Sequence, residues 1–278
     1  MRWLTLLAVL CLASPLPAAD LAPTPVATAG MTDAPPAIDG VLGDACWADS
    51  SAILRGFVET DMSAFAPVRT DARVCWDAER LYIGVRCEEP NTDALRAQMT
   101  ERDDAIWRDD CIELFLDTNH DRKTYAHVIV NSLGTVYDDR IPGDASWDAD
   151  VDAAAQTGDD FWAVEVAIGL DSLGGAPRPG DVWGFNLGRE RYAGEGQLSI
   201  WSPTYAKFLE PDRFGELVFA ERPGGFGWTL IDQPLFGLCE IGLFAHRDVQ
   251  PALHLMREWP EGLERGWPTP APEVAAGV

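Results

Sequence analysis

Short segments with an apolar side chain at every second position recur through the middle of this chain. They include residues 81–85, 112–116, 126–130 and 162–168, with further strands predicted at 182–191 and 214–219. Successive side chains of a β-strand point to opposite faces, so each segment predicts a strand with one buried face. Turn-forming residues separate the segments, and within this part of the chain helix is predicted only at 44–50 and 170–173. The pattern predicts an all-β fold, an antiparallel β-sandwich or jelly roll with short helical pieces.

The N-terminus has the pattern of a signal peptide. Arg2 supplies a positive start, residues 4–13 are apolar but too few to span a bilayer, and Ala18 and Ala19 suit cleavage. We therefore interpret residues 1–19 as a signal peptide and expect a secreted or periplasmic protein. No later segment is apolar enough for a membrane helix, so no membrane contact is expected after the signal is removed.

The rest of the chain divides into three parts by composition. Residues 20–36 are rich in Ala, Pro and Thr and predict a flexible leader. Residues 37–222 carry the alternating pattern and predict the sandwich. Residues 223–278 contain Gly-Gly and several Pro, and they predict an irregular extension that is partly disordered.

Charge and cysteine content exclude two classes of protein. The formal net charge of -24 argues against a nucleic-acid partner, which requires a basic face. The cysteines that follow the signal peptide are odd in number and have no metal-type spacing, so a disulfide scaffold is not expected. A tight turn after Trp76 would place Cys75 and Cys87 on opposite faces of the sheet, and we predict no bond between them.

Five motifs follow one another in a fixed order along the predicted sandwich. They are the "IDG" segment Ile38–Trp47, the strand Leu81–Val85, the "WRDDCIELFLD" segment Trp107–Asp117, the strand Pro179–Asn186 and the closing Pro211–Leu217. Each motif is weak alone, but together they resemble the family 9 carbohydrate-binding modules. Trp47, at the end of the first motif, is interpreted as a core residue.

The resemblance implies a sandwich that holds a sugar between two indole rings. Trp107 matches the first of these tryptophans, and Glu113 matches a carboxylate that accepts sugar hydroxyls. The strand pattern agrees for Glu113, because it alternates with the apolar Ile112 and Leu114 and so lies on the outer face. The alternative is an ordinary solvated sheet face with a polar cross-strand pair.

Further ligand contacts are predicted on neighbouring segments. His127 and Asn131 share one face of the next strand and would project beside Glu113 if the two strands pair. The second stacking tryptophan is either Trp201, which fits the motif order, or Trp147, which lies in a polar loop. Where the family places an arginine on the sugar, Arg189 is available.

A loop rich in oxygen-bearing side chains follows the Glu113 strand. Asp117, Asn119 and Asp121 are spaced as in a calcium loop, but Arg122 takes the position where an EF-hand has Gly. The alternatives are a turn capped by these side chains and a structural calcium site, which the resemblance keeps open. The sequence requires no other cofactor.

Three functions compete for this sequence. The first is non-catalytic carbohydrate binding, with a monosaccharide, an oligosaccharide or a polysaccharide end as ligand and a separate glycoside hydrolase as a candidate partner. The second is a glycoside hydrolase or its accessory subunit, although no carboxylate pair is singled out by a motif. The third is a haem-binding electron-transfer sandwich, for which the histidines form no evident ligand pair.

Overall fold

The computed structural model covers most of the predicted sandwich. It describes residues 24–49, 52–60, 64–194, 196–204 and 207–221, and the backbone of 227–233 and 238–244. The predicted signal peptide, residues 1–19, lies outside these ranges. Within them, no helix combines the length and the apolar character needed to cross a membrane.

Strands dominate the described residues. In chain order they are β1 (Val26–Met31), β2 (Ala52–Leu54), β3 (Val58–Glu59), β4 (Thr70–Trp76), β5 (Arg80–Glu88), β6 (Cys111–Asp117), β7 (Tyr125–Asn131), β8 (Val136–Ile141), β9 (Val151–Thr157), β10 (Phe161–Gly169), β11 (Val182–Arg191), β12 (Gln197–Ile200), β13 (Gly215–Ala220), β14 (Gly227–Gln233) and β15 (Leu238–Phe244). The helical pieces are short: α1 (Ala45–Asp49) and 3-10 helices at Thr92–Ala94, Ile106–Arg108, Leu170–Leu173 and Pro211–Arg213. The predicted all-β class with short helical pieces is confirmed.

Strands β1 to β13 form one continuous sheet that folds over itself into two layers. The hydrogen-bonded order is β8-β7-β6-β11-β13-β1-β4-β5-β10-β9, with β12 beside β11, β3 beside β12 and β2 beside β4. The β6–β7–β8–β11 strands form one layer and β4, β5, β9 and β10 the other. Their facing side chains share one apolar core, which includes Leu114, Val128, Ile83 and Val166.

The prediction of a purely antiparallel sheet needs correction at β1. This strand pairs in parallel with β13, where Thr28 lies opposite Val218, and also with β4, where Gly30 lies opposite Cys75. Strand β1 thus links the two layers through parallel pairings on both of its edges, so the sheet is mixed and the fold is a sandwich-like near-barrel. Strand pairing on either side of β1 remains antiparallel.

Both ends of the predicted sandwich differ from expectation. Residues 26–31 of the predicted leader form β1, because Ala27 and Ala29 are small enough to fill a crowded inner position where they are almost fully buried. The predicted irregular extension contains β14 and β15, which pair antiparallel as a separate two-stranded sheet.

The outer faces of the two layers are covered as well. Residues 38–47, here called the N-terminal cover, pack Leu42 and Trp47 over Cys75 and Tyr82 of the β4–β5–β10 layer. On the other layer, Phe208 and Phe214 cover one end of the outer face. The strand pattern predicted half-buried strands, yet every residue of β4, β6 and β7 is buried. The other end of the β6–β7–β8–β11 outer face carries polar side chains.

Candidate functional site

Four ionisable side chains meet on the outer face of the β6–β7–β8–β11 layer, and we call them the acidic cluster: Glu113, His127, Asp139 and Glu190. His127 lies directly opposite Asp139 in the register of β7 and β8. Glu113 lies opposite Gly188 of β11, and Glu190 follows Gly188 by two residues on the same face. The structure therefore brings Glu113 and His127 together, as their strand parity predicted.

His127 lies between two carboxylates. Its Nε2 is 2.8 Å from Glu113 Oε2 and its Nδ1 is 3.1 Å from Asp139 Oδ1. The ring stacks on Phe115, with 4.7 Å between ring centroids and 11° between planes. Burial favours the neutral ring, but the hydrogen bonds to Asp139 and Glu113 outweigh it and raise the pKa of His127 to about 9. At neutral pH the ring is a cation held in one orientation.

Glu190 completes the cluster with a second carboxyl group beside Glu113. Burial, followed by the hydrogen bond to Glu113, raises the pKa of Glu190 to about 8. Two carboxyl groups in contact share a proton, because both cannot ionise at that distance. The Tyr192 hydroxyl donates to Glu190 Oε2 at 2.6 Å. The shared proton removes one negative charge from the cluster, and the remaining carboxylate oxygens are hydrogen-bond acceptors.

Trp107 stands at the rim of this cluster. It belongs to the 3-10 helix at residues 106–108, where Ile106 is buried and Trp107 is 40% exposed. The indole meets Tyr137 edge-to-face, with 5.3 Å between ring centroids and an interplanar angle of 82°. The Tyr192 hydroxyl lies 3.0 Å from the Trp107 carbonyl oxygen. Part of the apolar indole is thus exposed to solvent beside the polar groups of the cluster.

The two aspartates that follow Trp107 hold this loop in place. Asp109 Oδ2 accepts the backbone N–H groups of Gln98 and Met99, each at 2.8 Å. Asp110 accepts backbone N–H groups from Arg96 and Tyr192. Both aspartates are fully buried. The paired aspartates of the Trp107 motif therefore have a structural role: they fix the backbone that presents the indole.

Three predicted ligand residues lie in the interior instead. Trp201 is 3% exposed and packs in the core near Phe185. Asn131 is fully buried; its amide donates to Met99 O and Asp109, and its Oδ1 accepts backbone N–H groups. Arg189 is 1% exposed. None of the three offers a surface to a ligand, and we remove them from the candidate site.

Arg189 and Trp147 lie away from the acidic cluster for different reasons. Arg189 follows the opposite parity from Glu190, so its guanidinium turns inward and binds Glu88 O at 2.9 Å and Glu89 at 3.3 Å. Trp147 is half-buried against the core, and the Arg140 guanidinium lies 4.7 Å from its ring centroid. Arg140 alternates with Asp139 on β8, so Trp147 lies away from the acidic cluster.

The loop predicted as a calcium site fits a capped turn. Asp117 is fully buried and accepts the backbone N–H groups of Asp121 and Arg122. Asp121 accepts those of Lys123 and Thr124. These oxygens already accept hydrogen bonds from their own turn, which is the arrangement of a capped turn. Among the described residues, no three His, Cys, Asp or Glu side chains are grouped to hold a metal ion.

Comparison with known proteins assigns the family. A family model described as carbohydrate family 9 binding domain-like matches residues 38–222. The chain belongs to this family. The match spans the N-terminal cover, both layers and the acidic cluster, and it confirms the resemblance drawn from the five motifs. No curated protein matches the chain.

Solved structures of family 9 modules share the fold. A carbohydrate binding module family 9 from Caldicellulosiruptor kristjanssonii in complex with cellotriose is 20% identical with a TM-score of 0.53, over 71% of this chain and 93% of that chain. One from the same organism in complex with glucose gives 20% and 0.54, over 71% and 96%. A candidate carbohydrate-binding protein from Bacteroides uniformis gives 13% and 0.57, over 71% and 100%.

Sequence reasoning missed four residues of the site. Tyr137 and Asp139 alternate along β8, and Glu190 shares its parity with Gly188 on β11, so the signal that each faces outward was present. Tyr192 follows β11 directly. What the pattern lacked was the register between strands, which alone brings Asp139 to His127 and Glu190 to Glu113.

Proposed function

We propose that this chain binds carbohydrate without cleaving it, at the acidic cluster and Trp107. The observation that supports the proposal is the pairing of an exposed indole face with recessed carboxylates, in a chain of a carbohydrate-binding family. The apolar face of a pyranose ring stacks on Trp107. Sugar hydroxyls then donate to the carboxylate oxygens of Glu113 and Asp139.

The acidic cluster suits this task because its side chains are fixed before a ligand arrives. Glu113 and His127 are 4% and 7% exposed, and each is hydrogen-bonded to a neighbour. Groups that are already oriented lose little conformational entropy on binding. Hydrogen bonds to a charged acceptor are also about twice as strong as those between neutral groups.

We further propose gluco-configured ligands, as a monosaccharide, an oligosaccharide or the end of a polysaccharide. The related modules from Caldicellulosiruptor kristjanssonii were solved with cellotriose and with glucose. Equatorial hydroxyls leave both faces of the pyranose ring apolar, which is the shape that a single exposed indole can accept. Tyr137 packs against Trp107 in a T-shaped arrangement and helps to hold the indole in place.

The test is isothermal calorimetry with glucose, galactose, cello-oligosaccharides and xylo-oligosaccharides. Trp107→Ala should weaken binding at least about tenfold, a loss of about 1.4 kcal/mol, because it removes the stacking surface. Its stability should change by no more than about 1 kcal/mol, since the side chain is 40% exposed and does not belong to the buried core.

Trp147→Ala provides the matched control for that experiment. It removes a half-buried indole that lies away from the acidic cluster, and it should leave the affinity for sugar unchanged. Equal losses in the two variants would contradict the assignment of Trp107. A wild-type protein that binds no sugar on the panel would contradict the function itself.

The geometry does not favour the alternative functions. Glycosidases separate their two carboxyl groups by about 5–9.5 Å so that a glycosidic bond fits between them. Glu113 and Glu190 are in direct hydrogen-bond contact, and the His127 ring fills the space between Glu113 and Asp139. The same contacts occupy both His127 nitrogens, which leaves that ring without a free nitrogen for haem iron.

We also propose export and a supporting role beside a separate glycoside hydrolase. The N-terminal pattern of Arg2, the apolar residues 4–13 and Ala18-Ala19 supports cleavage by a signal peptidase. Cell fractionation followed by N-terminal sequencing should recover a chain that begins near residue 20 outside the cytoplasm. An intact Met1 in the cytoplasmic fraction would contradict export.

A further inference from the structure

Cys46 of the N-terminal cover packs close to Cys75 of the sheet beneath it. This pair lies on the layer that does not carry the acidic cluster. Cys75 belongs to β4 and Cys46 to α1, and both belong to the small buried cluster that contains Trp47, Tyr82 and Ala167. They are 2% and 5% exposed. The cluster therefore holds two thiols from segments that are distant along the chain.

The direction of each cysteine side chain determines which pair can meet. Cys75 lies opposite Tyr82 and faces outward, toward the cover. Cys87 lies on the neighbouring β5 but faces the core between the layers, as its parity predicted. Cys111 belongs to β6 in the other layer and packs with Ile106. Of the four cysteines whose side chains the structure describes, Cys46 and Cys75 alone share a cluster.

The contact between these two thiols is direct. Their side chains are hydrogen-bonded, and this contact, followed by burial, raises the pKa of the Cys75 thiol far above its usual range. The thiolate is the attacking species in disulfide exchange, so the folded, reduced protein resists oxidation at Cys75. A disulfide bond between the two cysteines would therefore form during folding, before the N-terminal cover closes over β4.

We propose that Cys46 and Cys75 form a disulfide bond that fastens the N-terminal cover to the sheet when the chain folds in the presence of a disulfide oxidant. One thiolate attacks a small-molecule disulfide such as oxidised glutathione, releases one glutathione thiolate and forms a mixed disulfide. The second cysteine thiolate attacks that mixed disulfide and releases the other glutathione. Two cysteine thiols lose two protons and two electrons in total, and one oxidised glutathione becomes two reduced ones.

The bond would have a defined mechanical effect. It closes a loop from residue 46 to residue 75, which contains β2 and β3. It also anchors the residue next to Trp47, whose indole is fully buried under the cover. A cross-link of this kind restricts the unfolded chain and so raises the melting temperature. The inference does not depend on what the acidic cluster binds.

The experiment is refolding of the full chain from denaturant, once with reduced glutathione alone and once with a mixture of reduced and oxidised glutathione. Free thiols are alkylated under denaturing conditions, and the digest is analysed by mass spectrometry without reductant. We expect a peptide pair joining Cys46 to Cys75 in the oxidised sample, with Cys87 and Cys111 alkylated. The oxidised form should melt about 5–10 °C higher than the reduced form.

Serine variants make the result decisive. Cys75→Ser should melt at the same temperature with and without oxidant, whereas the matched variant Cys87→Ser should keep the difference. Alkylation of both Cys46 and Cys75, glutathione mixed disulfides alone, or a bond from Cys75 to Cys87 would each overturn the proposal. If a serine variant does not fold, the peptide map of the wild-type protein still decides the question.

Discussion

Glu165 and Glu113 occupy equivalent places in the two layers, yet their surroundings differ. Each lies on the outer face of an inner strand, β10 or β6, and each is almost fully buried. Glu165 receives the backbone N–H groups of Asp39 and Gly40 at 3.0 and 2.9 Å, and the Trp47 indole N–H at 2.7 Å. Its hydrogen-bond partners all come from the N-terminal cover.

Glu113 receives no such cover. Its partners are His127 and Glu190, which belong to neighbouring strands of the same sheet. Beyond them stands Trp107, an indole 40% exposed, where the other layer has the fully buried Trp47. A glutamate and a tryptophan on an outer face therefore have a structural role when a chain segment closes over them. They become a candidate binding site when that segment is missing.

The largest effect is expected from a substitution at Glu165, the glutamate that the N-terminal cover encloses. Glu165→Gln replaces a carboxylate with an amide that has one acceptor oxygen and a donor where three N–H groups converge. We expect the free energy of unfolding to fall by about 3 kcal/mol, because buried N–H groups lose their acceptor. Urea denaturation measures it through the midpoint at unchanged m-value.

Sugar affinity is the control for Glu165→Gln. The folded variant should bind with wild-type affinity, since the N-terminal cover and the acidic cluster lie on different layers. A loss of stability below about 1 kcal/mol would show that the cover does not depend on this carboxylate.

The same substitution at Glu113, which no segment of the described chain covers, should weaken sugar binding. Glu113→Gln removes a charged acceptor, and hydrogen bonds to charged groups contribute about 1.5–3 kcal/mol. We expect sugar affinity to fall about tenfold or more, measured by calorimetry with the best ligand of the panel. The melting temperature should shift less than in Glu165→Gln. Unchanged affinity would remove Glu113 from the site.

The smallest effect concerns the shared proton. The pKa of Glu190 is raised to about 8 in the folded state. The protonated carboxyl group therefore stabilises the fold fully at a pH below the pKa that Glu190 has in the unfolded chain, and this stabilisation is lost as the pH rises through 8. Glu190→Gln cannot ionise and should lack this loss. Relative to wild type, the variant should therefore gain about 1 kcal/mol between pH 5 and pH 8, a value reduced by partial solvent exposure.

Paired urea titrations of wild type and Glu190→Gln at pH 5 and pH 8 give this difference. His127 is present in both proteins, so its own titration toward about 9 largely cancels in the comparison. A difference that is constant with pH would mean that Glu190 ionises as an ordinary surface carboxylate.

Much of the fold could be predicted from alternation alone. The apolar sets of β5, β6, β7 and β10 all lie in the shared core, and Cys75 and Cys87 face opposite sides as predicted. The failures occurred where composition was a poor guide. The Ala- and Thr-rich residues 26–31 form a strand of the sheet instead of a leader. Small side chains are common in flexible segments, but they also fit into a closely packed core, as Ala27 and Ala29 do here.

The candidate site could be predicted only in part. Motif order led to Trp107, and strand parity placed Glu113 and His127 on one face. The same reasoning chose Trp201, Asn131 and Arg189, which are buried. Residue type and motif position do not distinguish an indole that fills the core from one that faces solvent, because the difference depends on segments that arrive from elsewhere in the chain.

The alternation in the sequence was enough to predict β5, β6, β7 and β10 with their inward faces, and the motifs were enough to predict the family. These follow from a period of two and from local motifs, which any strand of this composition must obey. Long-range contacts were needed to show that β1 pairs in parallel with β13 and β4, that Glu190 and Asp139 reach the cluster, and that Glu165 is covered while Glu113 is not. The physical reason is that parity specifies a direction, whereas what lies in that direction depends on long-range packing.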